Sequence, residues 1–525
     1  MSRLLTLLRP PNTARVAAAN NCNLPTSFST APVWVHNAWT THVSGPAGYA
    51  GGIDLYFVNG VLATDSEQDA YYDFYLRAGI YLGGAFFPVA FGGAQQALVS
   101  KSWGVAIGRA NVVIPPNTRF VVTNRRVAAD GGAAGSYNAI TTTGGALARQ
   151  DGILTGTDPA KDYTLGVGVP FGAKAGPVTV NGAGALTAIG IAQAKAAASQ
   201  AYADGGINLG YWFGPAGAGQ PGATIPGTPP GGGYGVLSGG GLAGFYAGAG
   251  EAGLLTANPP IAVVGGGGGF GSSTTASYGP SLITGVPLAK TPSVLLVGDS
   301  ITAGYGSVDA MGDLNGSYGW YEQLLAGTYG LHKLAVSGES AAGWMANHTR
   351  QLDYIDAAIR GGLRPDRVVV ALGTNDFLNN LNSDALTVTL ANIDAIAGLF
   401  RARGAKITLT TVPPAVKTLA TTNRFTTVAE QEPFNANFVT GGKVDQFNAA
   451  VVAGTIARDS YIDGSSYCRD TVTPHAFRTN AFGAGTAFCA YDGQIPATSY
   501  YQGIHPSVGV GIPYLRANVP VPAFA

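Results

Sequence analysis

Residues 294–302 read Val294-Leu295-Leu296-Val297-Gly298-Asp299-Ser300-Ile301-Thr302. Four apolar residues running into a glycine are the pattern of a strand buried on both faces, because a strand with one wet face would alternate. Downstream the same kind of run recurs between amphipathic stretches. Leu331 to Val336, Val368 to Leu372 and Lys406 to Val412 read as strands, whereas Tyr318 to Leu325, Met345 to Ile359 and Asp384 to Arg403 read as helices. Apolar strands separated by helices predict an α/β fold with a parallel sheet covered on both faces, a three-layer arrangement. In such sheets ligands bind at the carboxyl ends of the strands.

Upstream the pattern changes. From about residue 31 to 125, short runs rich in aromatic and β-branched residues alternate apolar with polar positions, which predicts antiparallel β-structure. Ile53 to Val58 is followed by Asn59-Gly60 and Val61-Leu62, a hairpin signal because both turn positions favour positive φ. Val178-Thr179-Val180 before Asn181-Gly182 repeats it, and Tyr71 to Leu76 and Arg119 to Thr123 read as further strands. A β-sandwich or jelly-roll-like region is expected. Between about 127 and 280 the chain drifts to Gly, Ala, Thr and Pro, with one Ala-rich stretch, Ile191 to Ala203, read as a helix. The Gly265 to Gly269 run is followed by no Gly-Lys-Ser/Thr and is read as loop rather than as a phosphate cradle. The expected organisation is an N-terminal arm over 1–30, a β-rich region with Gly/Ala-rich loops over 31–285, and an α/β domain over 286–525.

Composition narrows the function classes. Lys+Arg and Asp+Glu each number 29, so no net field draws the 525-residue chain to nucleic acid or to an anionic membrane. Charged residues make up 11% and hydrophobic ones 46%, which argues against general disorder. A neutral or weakly charged small ligand fits this balance. Three cysteines, Cys22, Cys468 and Cys489, exclude a disulfide scaffold and offer no Cys-x-x-Cys metal site. Cys468 and Cys489 are read equally well as a bridge or as two free thiols. His36, His42, His332, His348 and His475 show no ligand spacing, so neither a metal nor another cofactor is expected. The apolar run Leu4 to Leu8 is cut by Arg9-Pro10-Pro11 and is too short for a signal-peptide core, and no stretch approaches about 18 uncharged apolar residues without glycine. The expected location is extracellular or on a virion surface rather than cytoplasmic, reached by a route other than an ordinary cleaved signal; assembly as a homo-oligomer or in a particle fits that setting.

Three loops that follow the strands carry the residue types that acyl transfer needs. They are Gly298-Asp299-Ser300-Ile301-Thr302, Ser337-Gly338-Glu339 and Gly373-Thr374-Asn375-Asp376, and near the C-terminus stands Gly503-Ile504-His505-Pro506-Ser507. A serine hydroxyl is a weak nucleophile until a base accepts its proton, and His is the side chain poised to do so near neutral pH. The tetrahedral intermediate then carries negative charge that preorganised N–H donors must meet. The Ser300 N–H, the Gly338 N–H and the Asn375 side-chain amide would form that oxyanion hole around the nucleophile Ser300 and its base His505. Each residue also has an ordinary reading: Ser300 and Asn375 as helix caps, Gly338 as a tight turn, His505 as a packed loop residue. Asp299 and Asp376 are read as structural, bonding the loops that hold the site.

These four blocks, in this order, resemble the SGNH/GDSL hydrolase family, named for its Ser, Gly, Asn and His. The resemblance covers about 286–525. The run Gly-Asp-Ser-Ile-Thr differs from the Gly-x-Ser-x-Gly elbow of the α/β-hydrolases, which argues against that rival. One departure stands out: the family carries an Asp three residues before the histidine, where this chain has Gln502. A Ser–His dyad, an acid supplied by Asp492 or Asp470, and a degenerate site compete to explain it. The resemblance implies a serine esterase. A β-rich half beside such a domain and a neutral, Tyr-rich composition suggest a short acyl group, acetyl above all, on a carbohydrate, a reading by fold-level analogy. A lipase or thioesterase is the enzymatic alternative. A virion or cell-surface receptor- or polysaccharide-binding protein with an auxiliary hydrolase domain is the non-enzymatic one.

Overall fold

The computed structural model describes residues 15–19, 22, 24–25, 35–70, 73–82, 85–128, 152–156, 206–207, 210–213, 262–265, 279–304, 319–419, 425–479, 488–489, 500–507 and 510–524. The expected hairpin at 178–182 and helix at 191–203 lie outside them, as does all of the 265–269 run but Gly265, which ends a strand (Ala262–Gly265).

In the C-terminal half, five strands pair in parallel. Leu331–Ala335 lies at one edge, followed by Val294–Gly298, Arg367–Ala371, Lys406–Thr410 and Ser460–Ile462. The first four are those expected from the sequence; Ser460–Ile462 is short, partly exposed and carries no apolar run. Gly298 is level with both Ala335 and Ala371, so three strands end at one height and their loops open side by side. The expected helix over 345–359 is two, Ala341–Ala346 and Thr349–Arg360, broken at Asn347 and His348.

In the N-terminal half the described strands are antiparallel, as expected. Ten of them run as one hydrogen-bonded path, Val16–Ala17, Leu282–Pro287, Tyr49–Ala63, Gly104–Ala110, Ala85–Ala90, Phe74–Leu82, Arg119–Ala128, Val35–Val43, Gly152–Gly156, Gly206–Ile207, and Gly210–Phe213 pairs separately with Ala262–Gly265. Ser66–Asp69 and Ala97–Val99 branch from this path. The order defines a β-rich antiparallel region and does not by itself define a sandwich or jelly roll.

The hairpin expected at Asn59-Gly60 is corrected. Both residues lie inside the 15-residue strand Tyr49–Ala63, held extended because Asn59 pairs with Gly104 on one side and Gly60 with Asp69 on the other. The chain turns instead at Thr64-Asp65, where Asp65 adopts φ 49°. Gly60 serves packing: a Cβ there would lie 2.6 Å from the Trp103 ring. Asn59 donates its side-chain amide to the Val99 carbonyl at 3.2 Å.

This strand separates two cores. Ile53, Leu55 and Phe57 pack into the core of the antiparallel region, whereas Tyr56, Val58 and Leu62 join Val297, Leu334 and Val336 in the core under the parallel sheet. The period-2 alternation of a strand buried on both faces thus welds the halves together. Gly60→Val is expected to overpack Trp103 and cost about 1–3 kcal/mol. Urea denaturation measures it; an unchanged midpoint would contradict the close approach.

Candidate active site

The three loops at the common strand end are built by capping and by glycine. Asp299 caps the single turn Ser300–Ala303, its Oδ1 accepting the Ile301 N–H at 2.9 Å. Gly298 is required just before it, because a Cβ would meet Thr302 Oγ1 at 2.2 Å. In the second loop Gly338 adopts φ 86°, a conformation that favours glycine. Ser340 then caps the helix Ala341–Ala346 through the Gly343 N–H. In the third, Asn375 Nδ2 donates to the Glu339 carbonyl at 2.9 Å. The Asp376 carboxylate accepts the Ala341 and Ala342 N–H groups at 2.8 and 3.3 Å. The second and third loops are therefore tied by three hydrogen bonds. An amide nitrogen carries two hydrogens, so Asn375 keeps one to offer elsewhere.

His505 follows the strand Tyr500–Gly503, which pairs antiparallel with Val416–Leu419 outside the parallel sheet. Its Nε2 lies 2.7 Å from Ser300 Oγ, a hydrogen bond between residues 205 positions apart. Ser300 and His505 are each 6% exposed and Asn375 9%. Ser300 and His505 are thus brought together, and Gly338 and Asn375 stand on loops that leave the sheet level with Ser300.

The candidates for a third member fare differently. Gln502 lies in strand register opposite Lys417 and is partly exposed. Asp470 accepts the Val472 and Thr473 N–H groups at 2.9 and 3.0 Å, closing its own turn. Asp492 lies outside the described residues. Cys468 and Cys489 are both buried and are not bridged to each other, and burial pushes the Cys468 thiol up. Among the described residues no helix is long and apolar enough to cross a membrane, and no group of three or more His, Cys, Asp or Glu could hold a metal ion.

Two acids beside the site, Glu339 and Asp65, were given no role in the sequence reading. Glu339 is buried, and desolvation followed by the neighbouring Asp65 carboxylate pushes it up to about 9. Asp299 is raised to about 6 by burial, opposed by the Ile301 N–H and by the charge of His505. Asp65 comes from the other half of the chain, and only a two-residue turn marks it locally.

Residues 296–507 match the model of the GDSL-like Lipase/Acylhydrolase family. A chain with such a domain is, by class, a carboxylic ester hydrolase. Its C-terminal half belongs to the GDSL-like acylhydrolases, as the four ordered blocks imply. Solved structures similar to it include a GDSL-like lipase from Bacteroides thetaiotaomicron, 19% identical over 43% of this chain and 83% of that one, with TM-score 0.26. Others are an acetylxylan esterase from Geobacillus stearothermophilus (18%, 43% and 90%, TM-score 0.26) and a psychrotrophic esterase from Pseudoalteromonas (16%, 43% and 92%, TM-score 0.24). No curated protein matches the chain.

The raised carboxyls give a pH signature. Glu339 holds its proton in the folded state up to about 9, whereas its ordinary value is 4.5. Between those values the folded chain binds more protons than the unfolded one, so stability falls as pH rises. Asp299 adds the same sign between 3.8 and about 6. Thermal denaturation from pH 5 to 9 should show Tm falling, and falling less in Glu339→Gln; equal slopes would refute the buried, protonated state of Glu339.

Proposed function

We propose that this chain is a serine esterase that removes a short acyl group, most simply acetyl, from a carbohydrate. The observation that carries the reading is the 2.7 Å hydrogen bond between Ser300 Oγ and His505 Nε2. With His505 as base, the Ser300 hydroxyl attacks the ester carbonyl as its proton passes to Nε2. The proton then goes to the leaving alkoxide, and water repeats the sequence on the acyl-enzyme. The Ser300 and Gly338 N–H groups and the second Asn375 amide hydrogen receive the oxyanion. A nucleophile only 6% exposed favours a small acyl group over a long chain. The β-rich half, read as a jelly-roll-like domain, and a neutral, Tyr-rich composition favour a sugar as the alcohol.

We read Ser300 and His505 as the reacting pair and weigh a Ser–His dyad against an acid supplied by Asp492, because Asp470 is committed to its own turn and Gln502 offers no charge. Release of p-nitrophenol from p-nitrophenyl acetate tests the set. Ser300→Ala should lower kcat on the order of 10⁶-fold, and Asn375→Ala by about 10²–10³. Equal rates for wild type and Ser300→Ala would end the reading. Gln502→Asp should raise kcat and Asp470→Asn leave it within about threefold, since neither change removes a dyad member. A large loss in Asp470→Asn would instead make that acid the third member. A binding protein without turnover would retain acetylated polysaccharide equally in wild type and Ser300→Ala, with no acetate released by either.

A further inference from the structure

The turn that ends the long strand of the N-terminal half lies against the loop that carries Gly338. Thr64 Oγ1 donates to the Ser337 carbonyl at 2.7 Å. Asp65 Oδ1 accepts the Ser340 N–H at 3.2 Å and the Ser340 hydroxyl at 3.0 Å, and the Asp65 carbonyl accepts the Asn347 side-chain amide. Farther along, Glu67 accepts the Arg350 and Gln351 N–H groups at 2.9 Å each, and Asp69 pairs with Arg350. The approach is close enough that a Cβ on Gly343 would meet Asp65 Oδ1 at 1.6 Å. The turn is therefore docked in one register along the second loop and the helix after it.

The first of these contacts bears on chemistry. The Ser337 C=O and the Gly338 N–H are the two ends of one peptide unit. That unit is planar and trans, so orienting the carbonyl orients the N–H, which points the opposite way. A hydrogen bond accepted by the carbonyl also polarises the amide and makes its N–H a better donor. The unit needs such an anchor because Gly338, at φ 86° and without Cβ, restrains it less than any other residue would. Thr64 Cγ2 stands 3.0 Å from where a Gly338 Cβ would be, closing that side of the loop.

We propose that Thr64 is a positioning residue of the esterase site, its hydroxyl holding the Ser337–Gly338 peptide so that the Gly338 N–H meets the oxyanion. The inference rests on the reading of Ser300 as nucleophile and Gly338 as oxyanion donor. It makes the N-terminal half a structural part of the catalytic site, whatever else that half binds.

The test compares Thr64→Val, which keeps shape and loses the hydroxyl, with Thr64→Ser, which keeps the hydroxyl, in the full chain. On p-nitrophenyl acetate, Thr64→Val should lower kcat about tenfold, less than the 10²–10³ that follows removal of a donor itself. KM should stay within twofold, Tm should hold, and Thr64→Ser should run near the wild-type rate. Amide hydrogen exchange over residues 336–340 should be faster in Thr64→Val than in wild type. Should Thr64→Val not fold, Thr64→Ala carries the same comparison. An unchanged kcat in Thr64→Val, with Ser300→Ala inactive, overturns the role of Thr64 and leaves the esterase reading standing. A fall in kcat with a matching fall in Tm and no rescue by Ser also overturns it, in favour of plain packing. Full activity in Ser300→Ala removes the premise instead, and with it the role of Thr64.

Discussion

The hydrogen bond between Ser300 and His505 joins two segments 205 residues apart, and most of the C-terminal half is arranged to hold its ends. Ser300 is held by the strand before it, by the Asp299 cap and by the packing of Ile301. His505 belongs to no strand of the parallel sheet, so a separate device delivers it. The strand before it pairs with Val416–Leu419, a short continuation of the chain that leaves the fourth parallel strand. Beyond it Pro506 bridges Cys489, and the Ser507 N–H donates to the Phe488 carbonyl at 2.7 Å. Phe488, Ile512 and Leu515 share a core with Ile301 and Trp320, so Ser300 and His505 ride on one packed body. Close packing is what allows two loops to keep one hydrogen-bond distance.

The two halves of the chain meet over more than a surface. A 15-residue strand spans about 50 Å at roughly 3.3 Å per residue. Its neighbours on either side hold Tyr49–Ala63, which bulges at Gly51-Gly52 and is otherwise paired in register, and its two faces feed two cores. It acts as a beam anchored in the antiparallel region, with its far end, Thr64-Asp65, resting on the second loop. The first described segment reinforces the seam. Val16–Ala17 pairs with Leu282–Pro287, while the Arg15 N–H donates to the Gly362 carbonyl and the Arg15 carbonyl accepts the Arg364 N–H. Within the segment read from sequence as an arm, Val16–Ala17 is thus a strand that touches both halves.

The parallel sheet was legible because burial on both faces writes itself as apolar runs, and three of the four chemical blocks were legible because each follows such a run; the His505 block follows Tyr500–Gly503, which carries none, and was read from its own residues. Ser460–Ile462 was not, since an edge strand of three residues with two partly exposed carries no run to read. Asn59-Gly60 misled for a related reason: a local turn preference of a few tenths of a kcal/mol to about 1 kcal/mol yields to ladder hydrogen bonds on both sides. Thr64 and Asp65 were unreadable as site residues, because their meaning lies in partners 273 and 275 positions away. Asp299 and Asp376, by contrast, act within loops whose composition announced them, and both make the structural hydrogen bonds expected of them.

Three buried acids, Asp299, Glu339 and Asp376, surround the second and third loops, which is unexpected beside a site proposed to receive an oxyanion. A negative charge fixed near the tetrahedral intermediate would raise its energy, and low local dielectric would enlarge the penalty. Each acid is disarmed in its own way. Asp376 is spread over two N–H groups at a helix start, where the helix dipole also favours it. Asp299 is held by the Ile301 N–H and faces the charge of His505, so it opposes the oxyanion but favours the imidazolium formed in the same step. Glu339 is pushed up to about 9, first by its burial and then by the neighbouring Asp65 carboxylate, so near neutral pH it carries a proton in place of a charge. The docking of Thr64-Asp65 that is proposed to orient the Ser337–Gly338 peptide therefore also favours the neutral form of Glu339. Separating these two effects requires altering Thr64 and Glu339 independently, since one acts through geometry and the other through charge.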